Sequence, residues 1–72
     1  MSALQERRKA AGLSQSELAR KAEVPVRTIQ HFEQGTMDIN KAAVVTVLRL
    51  AEALGCEIQD LLELQKNKNG GQ

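Results

Sequence analysis

The sequence predicts an all-α domain of five short helices, and three features of the chain lead to this fold class. Apolar residues recur at the three- and four-residue spacing of amphipathic helices along most of the 72 residues. A single proline separates two segments that both have this spacing. Glycine, which readily adopts the left-handed conformation of a helix C-terminus, follows three of the segments, at Gly12, Gly35 and Gly55. We expect one domain over residues 3–65, with a small core because a short chain buries a limited share of its surface.

The first two helices are predicted to be separated by a short turn. Residues 3–11 form the first helix, and Gly12 ends it. In the next segment, "SQSE", Ser14 can cap a second helix while Glu17 reaches back to the cap, which is the pattern of a capping box. The inward face of this second helix consists of Leu18, Ala19 and Ala22.

Pro25 marks the start of the third helix. Proline lacks a backbone N–H and disfavours helix in the residue before it, so Val24 is expected to be extended. Because proline is favourable at the beginning of a helix, the third helix is predicted over residues 25–34. Ile29 and Phe32 face inward, and most of the other positions are polar.

Two further helices complete the predicted fold. Asn40 is expected to cap the fourth, with Ile39 and Val44 in contact as a hydrophobic staple. Its apolar stripe is predicted to be Val44, Val47, Leu48, Ala51 and Leu54. The segment "EIQDLLEL" predicts a last short helix with three inward residues, Ile58, Leu61 and Leu62. Residues 66–72 contain no apolar side chain and are expected to form a disordered tail.

The composition argues against several classes of function. One cysteine and one histidine cannot form a tetrahedral zinc site within a chain, and no glycine-rich loop accompanies them as in a Cys–His nucleophile site. We therefore expect no metal, no cofactor and no enzyme, with Cys56 as a small core residue. No apolar run has the length of a membrane span, so we expect a cytoplasmic protein without a membrane partner. Nearly absent aromatic residues argue against stacking on single-stranded nucleic acid.

The second and third helices, joined by a tight turn with the small Ala19 at their crossing, form the pattern of a helix-turn-helix. The segment "LSQSELARKAEVPVRTIQHFEQG" resembles the DNA-binding domain of the Cro and phage-repressor family, also called the XRE family. Four features carry the resemblance: "LSQSELA", the ending "IxxFExG", the preceding Arg8, and the closing "RLAEALGCEIQDLLE". It extends over most of the chain, from Leu4 to Leu62, and implies the five-helix lambda-repressor-like fold.

The resemblance implies double-stranded DNA as the partner, with the third helix in the major groove and the second against the backbone. The residues that it places at base edges are Val26, Arg27, Thr28 and His31. The residues that it places at phosphates are Ser14, Gln15, Gln34, Thr36 and Lys41. Arginine suits the acceptors of guanine and valine suits a thymine methyl, whereas His31 is equally compatible with a solvated surface histidine.

The resemblance also implies an ion pair between Arg8 and Glu33, which we expect to stabilise the fold and not to contact DNA, since a carboxylate is repelled by phosphate. The chain departs from the family at three places. Glu23 stands where the family has a left-handed glycine, and Val26 replaces a polar residue. The segment "TMDINKAA" is about three residues longer than the usual connection, which leaves open whether Thr36 or Lys41 reaches phosphate.

We expect a small transcriptional regulator that binds double-stranded DNA sequence-specifically and acts as a repressor. Since one recognition helix covers few base pairs, we expect a weak homodimer on a palindromic operator, with Leu62 and Leu64 near the contact. The alternative is an antitoxin-type protein that binds a partner protein as well as DNA. An exposed apolar patch over residues 61–64 would favour that alternative.

Overall fold

The computed structural model describes residues 2–63, and within this range all regular secondary structure is helical. The four α-helices are α1 (Ala3–Ala10), α2 (Gln15–Ala22), α3 (Val26–Gln34) and α4 (Val44–Leu54). Two short 3₁₀-helices, Ile39–Lys41 and Ile58–Asp60, precede and follow α4. The predicted all-α fold class is confirmed. The predicted tail, residues 66–72, lies outside the described residues.

A single core joins the helices. Helix α2 packs against both α3 and α4, and α1 packs against α3. Because two helices rest on α2, its two buried alanines, Ala19 and Ala22, allow close approach on this side. The buried apolar residues are Leu4, Leu18, Ala19, Ala22, Val24, Ile29, Phe32, Ile39, Val47, Leu50, Ala51 and Leu61.

The predicted capping box at the start of α2 is confirmed. The Ser14 hydroxyl accepts a hydrogen bond from the backbone N–H of Glu17 at 3.0 Å, and the Glu17 carboxylate accepts one from the backbone N–H of Ser14 at 2.8 Å. The three glycines predicted to end helices all have positive φ. Local sequence signals therefore determine where α2 begins and where α1, α3 and α4 end.

The turn between α2 and α3 has an unfavourable residue at its centre. Glu23 adopts the left-handed conformation, with φ 60° and ψ 44°, at the position where the family has glycine. Val24 then donates its backbone N–H to Ala19 at 3.1 Å and is buried in the core. Pro25 is the N-cap and not the first helical residue, so α3 begins one residue later than predicted, at Val26. This turn sets the direction in which α3 leaves α2.

The predicted start of α4 is wrong. Asn40 lies within the first 3₁₀-helix, whose cap is the Asp38 side chain, and α4 begins only after Ala43. Asn40 is engaged elsewhere: its amide donates to the carbonyl of Glu63 at 3.0 Å and accepts from the Glu63 backbone N–H at 2.8 Å. Val44 is 71% exposed and therefore forms no hydrophobic staple with the buried Ile39.

The predicted apolar stripe of α4 is shifted. Val47, Leu50 and Ala51 are the buried residues, while Val44 and Leu48 are exposed. Both sets satisfy the three- and four-residue spacing of a helix face, so the spacing alone does not select one. The packing of α4 against α2 determines which of the two sets is buried.

The predicted fifth helix is only a 3₁₀-helix within the described residues. The residue before it, Glu57, donates its backbone N–H to the Asp60 carboxylate at 2.9 Å. Leu61 is fully buried, and Ile58 and Leu62 are half-buried against the core, so these residues face inward as predicted.

We predict that Glu23→Gly stabilises the protein. A non-glycine residue in the left-handed conformation costs about 1–2 kcal/mol, while the extra freedom of glycine in the unfolded chain offsets about 0.4–1 kcal/mol. The free energy of unfolding, measured in urea, should rise by about 0.5–1 kcal/mol. The control Glu52→Gly, at an exposed helical position, should lower it by about 1 kcal/mol. A decrease for Glu23→Gly would contradict the strained turn.

Candidate nucleic-acid interface

Helix α3 presents one polar face to solvent. Ile29 and Phe32 anchor the opposite side in the core. The outward positions follow the spacing i, i+3, i+4 and i+7 and are Arg27, Gln30, His31 and Gln34. Three of them are exposed and His31 is half-buried. Arg27 lies in the first turn, where a helix that enters a groove end-on brings its side chains nearest to the bases.

The four residues predicted to read bases do not share this face equally. Arg27 is exposed, whereas Val26 and Thr28 are half-buried, and Val26 packs against the core. Of these four residues, only Arg27 is fully exposed. The cause is the two-residue core anchor: Val26 lies one turn before Ile29, on the same side of the helix.

His31 and Thr36 form a pair at the C-terminal end of α3. The His31 ring nitrogen Nδ1 lies 2.7 Å from the Thr36 hydroxyl oxygen, and the Thr36 backbone N–H donates to the His31 carbonyl at 3.0 Å. The second ring nitrogen, Nε2, takes no part in this contact. Thr36, two residues beyond the end of α3, thus orients the only histidine of the chain.

The N-terminus of α2 contains two of the predicted phosphate contacts, Ser14 and Gln15. Ser14 uses its hydroxyl oxygen and its backbone N–H in the capping box. Within residues 2–63, the backbone N–H groups of Gln15 and Ser16 have no hydrogen-bond acceptor. Unpaired N–H groups at the positive end of a helix favour an anion. Gln34 and Lys41 are exposed and lie after this surface in the chain, at the end of α3 and in the first 3₁₀-helix.

Arg8 and Glu33 form a buried ion pair. Arg8 Nε donates to Glu33 Oε2 at 2.7 Å, and a second guanidinium nitrogen donates to Oε1 at 3.1 Å. The remaining terminal nitrogen of Arg8 donates to the carbonyl of Leu13 at 2.8 Å. Only 2% of the Glu33 side chain is exposed. The pair therefore links α1 to α3 and to the loop before α2.

Gln15 joins the same cluster. Its amide nitrogen donates to Glu33 Oε1 at 2.9 Å. Burial alone would raise the pKa of Glu33, but the hydrogen bonds from Arg8 and Gln15, together with the charge of Arg8, outweigh burial and lower that pKa. Glu33 is therefore ionised at neutral pH and acts only as an acceptor.

Sequence reasoning missed two features of this surface. Gln30 is not among the residues predicted to contact bases, yet it shares the outward face with Arg27, and the i+3 spacing could have shown this. The hydrogen bond between Gln15 and Glu33 has no sequence signal, because 18 residues separate its partners.

Two observations on residues 2–63 concern metal binding and the reactivity of Cys56. No group of three His, Cys, Asp or Glu residues in this range could hold a metal ion. Burial raises the pKa of the Cys56 thiol, which disfavours the thiolate that a nucleophile requires. None of the helices in the described range combines the length and apolar character needed to cross a membrane.

Comparison with known families agrees with this geometry. A helix-turn-helix family model, the Cro/C1 type, matches residues 4–61. The chain belongs to the XRE family of helix-turn-helix proteins. No curated protein matches its sequence. XRE-family domains are DNA-binding transcription regulators and not enzymes, so this XRE-family chain has a regulatory DNA-binding domain that includes α2 and α3.

We predict that Glu33→Ala lowers the free energy of unfolding by about 2–3 kcal/mol at pH 7, because it leaves the Arg8 charge buried without its partner. The control Glu52→Ala removes an exposed helical glutamate and should change stability by less than about 0.5 kcal/mol. Urea unfolding of both variants checks this, and equal stabilities would contradict a structural role of the pair.

The pair also predicts a pH dependence. Because the pKa of Glu33 is lowered on folding, its contribution is complete above the pKa of an unfolded glutamate, about 4.3, and is lost as the pH falls below that value. The wild type should therefore lose more stability than Glu33→Ala between about pH 5 and pH 3. Parallel losses in the two proteins would show that the ion pair makes no such contribution.

Proposed function

We propose that this protein binds double-stranded DNA sequence-specifically and acts as a repressor by occupying its operator. The observation that supports this most is the outward face of α3, in which Arg27 stands in the first turn with no partner among residues 2–63. Arginine has paired donors that match the O6 and N7 acceptors of guanine in the major groove. Gln30 and His31 follow one turn later on the same face and are placed for neighbouring base pairs.

Phosphate contacts would fix the register of α3. We assign this role to the N-terminus of α2, with Ser14 and Gln15, and to three residues at and beyond the C-terminal end of α3: Gln34, Thr36 and Lys41. Lys41 is the charged member of the set and would add to the salt dependence of binding. Binding to an operator requires the protein to be in the same compartment as the DNA, and a cytoplasmic location, as expected from the sequence, meets this requirement.

The antitoxin-type alternative has less support. It was expected to show as an exposed apolar patch over residues 61–64. Leu61 is fully buried, Leu62 is half-buried against the core, and residue 64 lies outside the described range. Residues 61–63 therefore do not form the exposed apolar patch that would favour a partner protein at this segment.

Selection of bound duplexes from a random pool tests the proposed function, and Arg27→Ala tests its mechanism. We expect Arg27→Ala to weaken binding to the selected site by about 1–3 kcal/mol and to relax the preference at one base pair. Gln30→Ala is the matched control on the same face, expected to shift the preference at a different base pair. If Arg27→Ala weakens all sequences equally and lowers the salt slope by about one, Arg27 contacts phosphate and not a base.

The contact between two copies would lie on α4 and not at Leu62. Three adjacent aliphatic side chains of α4 are exposed there: Val44 by 71%, Val45 by 53% and Leu48 by 39%. A patch of three side chains is small beside the roughly 800 Å² per partner of a stable interface. We therefore propose that two copies associate weakly, when both are bound to a palindromic operator.

We predict that the full palindrome is bound more tightly than two independent half-sites. Val45→Gln with Leu48→Gln should remove this cooperativity and leave half-site affinity unchanged, since both side chains are exposed. Ala10→Gln, at an exposed position of α1, is the control. Equal cooperativity in the α4 variant, measured by mobility shift, would place the contact elsewhere.

A further inference from the structure

The Glu33 carboxylate of α3 binds side chains from two other helices and not only its ion-pair partner. It accepts two hydrogen bonds from Arg8 of α1, at 2.7 and 3.1 Å, and one from the amide of Gln15, the first residue of α2, at 2.9 Å. Glu33 itself belongs to α3, next to the outward residue Gln34. The position of the Gln15 side chain is thus set by the helix proposed to enter the groove.

The charge of Glu33 also decides which end of the Gln15 amide faces inward. A carboxylate can only accept, so the amide must turn its nitrogen towards Glu33. One N–H is used by this bond, and the second N–H remains available on the same side chain. It lies on the residue whose backbone N–H, with that of Ser16, has no acceptor within residues 2–63.

We propose that Glu33 is a positioning residue for DNA binding: it fixes the Gln15 side chain so that its second N–H and the free backbone N–H groups of α2 bind one phosphate together. This proposal rests on the proposed function. Glutamine loses much rotamer freedom when it is ordered, and the buried carboxylate imposes that order before DNA binds. Without the Glu33 carboxylate, the affinity for DNA should fall on the order of tenfold.

A double substitution separates this role from the stabilising role of the ion pair. Arg8→Met with Glu33→Leu replaces both buried charges by apolar groups, which is often neutral for stability. The net charge is unchanged, so non-specific attraction to DNA is unchanged too. Arg7→Met with Asp60→Asn is the matched control: it removes a more exposed pair whose atoms are 3.7 Å apart, and the asparagine oxygen can still accept from the Glu57 backbone N–H.

The experiment measures affinity for the selected duplex and for duplexes that carry a single neutral methylphosphonate at each position in turn. When Gln15→Ala is the only substitution, the methylphosphonate at one position should no longer affect binding. That position identifies the phosphate that Gln15 contacts. We expect the Arg8/Glu33 double variant to lose the same affinity as Gln15→Ala and to be insensitive at the same position. Adding Gln15→Ala to the double variant should then cost nothing further, and the Arg7/Asp60 control should bind like the wild type.

Two results would overturn the proposal. Wild-type affinity in the folded Arg8/Glu33 variant, or a full additional loss when Gln15→Ala is added to it, would show that Glu33 does not position Gln15. Should that variant not fold, Glu33→Gln serves the same comparison, because an amide at position 33 no longer imposes one orientation on Gln15. Failure of the proposed function looks different: the wild type itself would then enrich no sequence from the random pool.

Discussion

The buried carboxylate of Glu33 is the interaction on which the arrangement of α1, α2 and α3 depends. A carboxylate that is 2% exposed requires hydrogen bonds on both oxygens, and Arg8 and Gln15 provide them. Satisfying one buried group thereby fixes α1 and α2 against α3. A small domain has few buried apolar side chains. A single buried polar cluster can therefore help to set the relative orientation of its helices.

The turn at Glu23 contributes the second constraint on α3. Its left-handed conformation reverses the chain, Val24 then enters the core, and Pro25 starts the next helix. Because Ile29 and Phe32 fill the inward side, Arg27 is left on the outward side of the first turn. The fold therefore determines which residues α3 presents, and the residues presented determine what it can recognise.

Local signals made much of this fold predictable. Helix ends marked by Ser14, Gly35 or Gly55 are set by groups within a few residues, and the capping box is visible in the sequence alone. The errors arose where a distant residue decides. Asn40 has a side chain suited to an N-cap, but its amide nitrogen and oxygen both form hydrogen bonds with the backbone of Glu63, 23 residues away.

The candidate site was predictable to the same degree. The family resemblance placed Arg27 and Gln15 at the interface, and the spacing of Ile29 and Phe32 fixed the face of α3. The half-burial of Val26 and the contact of Gln15 with Glu33 depend on how helices pack, which no local pattern records.

The central claim is that the outward face of α3 and the N-terminus of α2 together form a specific surface for duplex DNA. The most direct measurement follows backbone and side-chain amide resonances of the labelled protein as the selected duplex is added, with a scrambled duplex of equal length as reference. The account predicts that the shifts specific to the selected duplex concentrate at Arg27, Gln30 and Gln15. Shifts confined to α1 or α4, or identical shifts with the scrambled duplex, would contradict it.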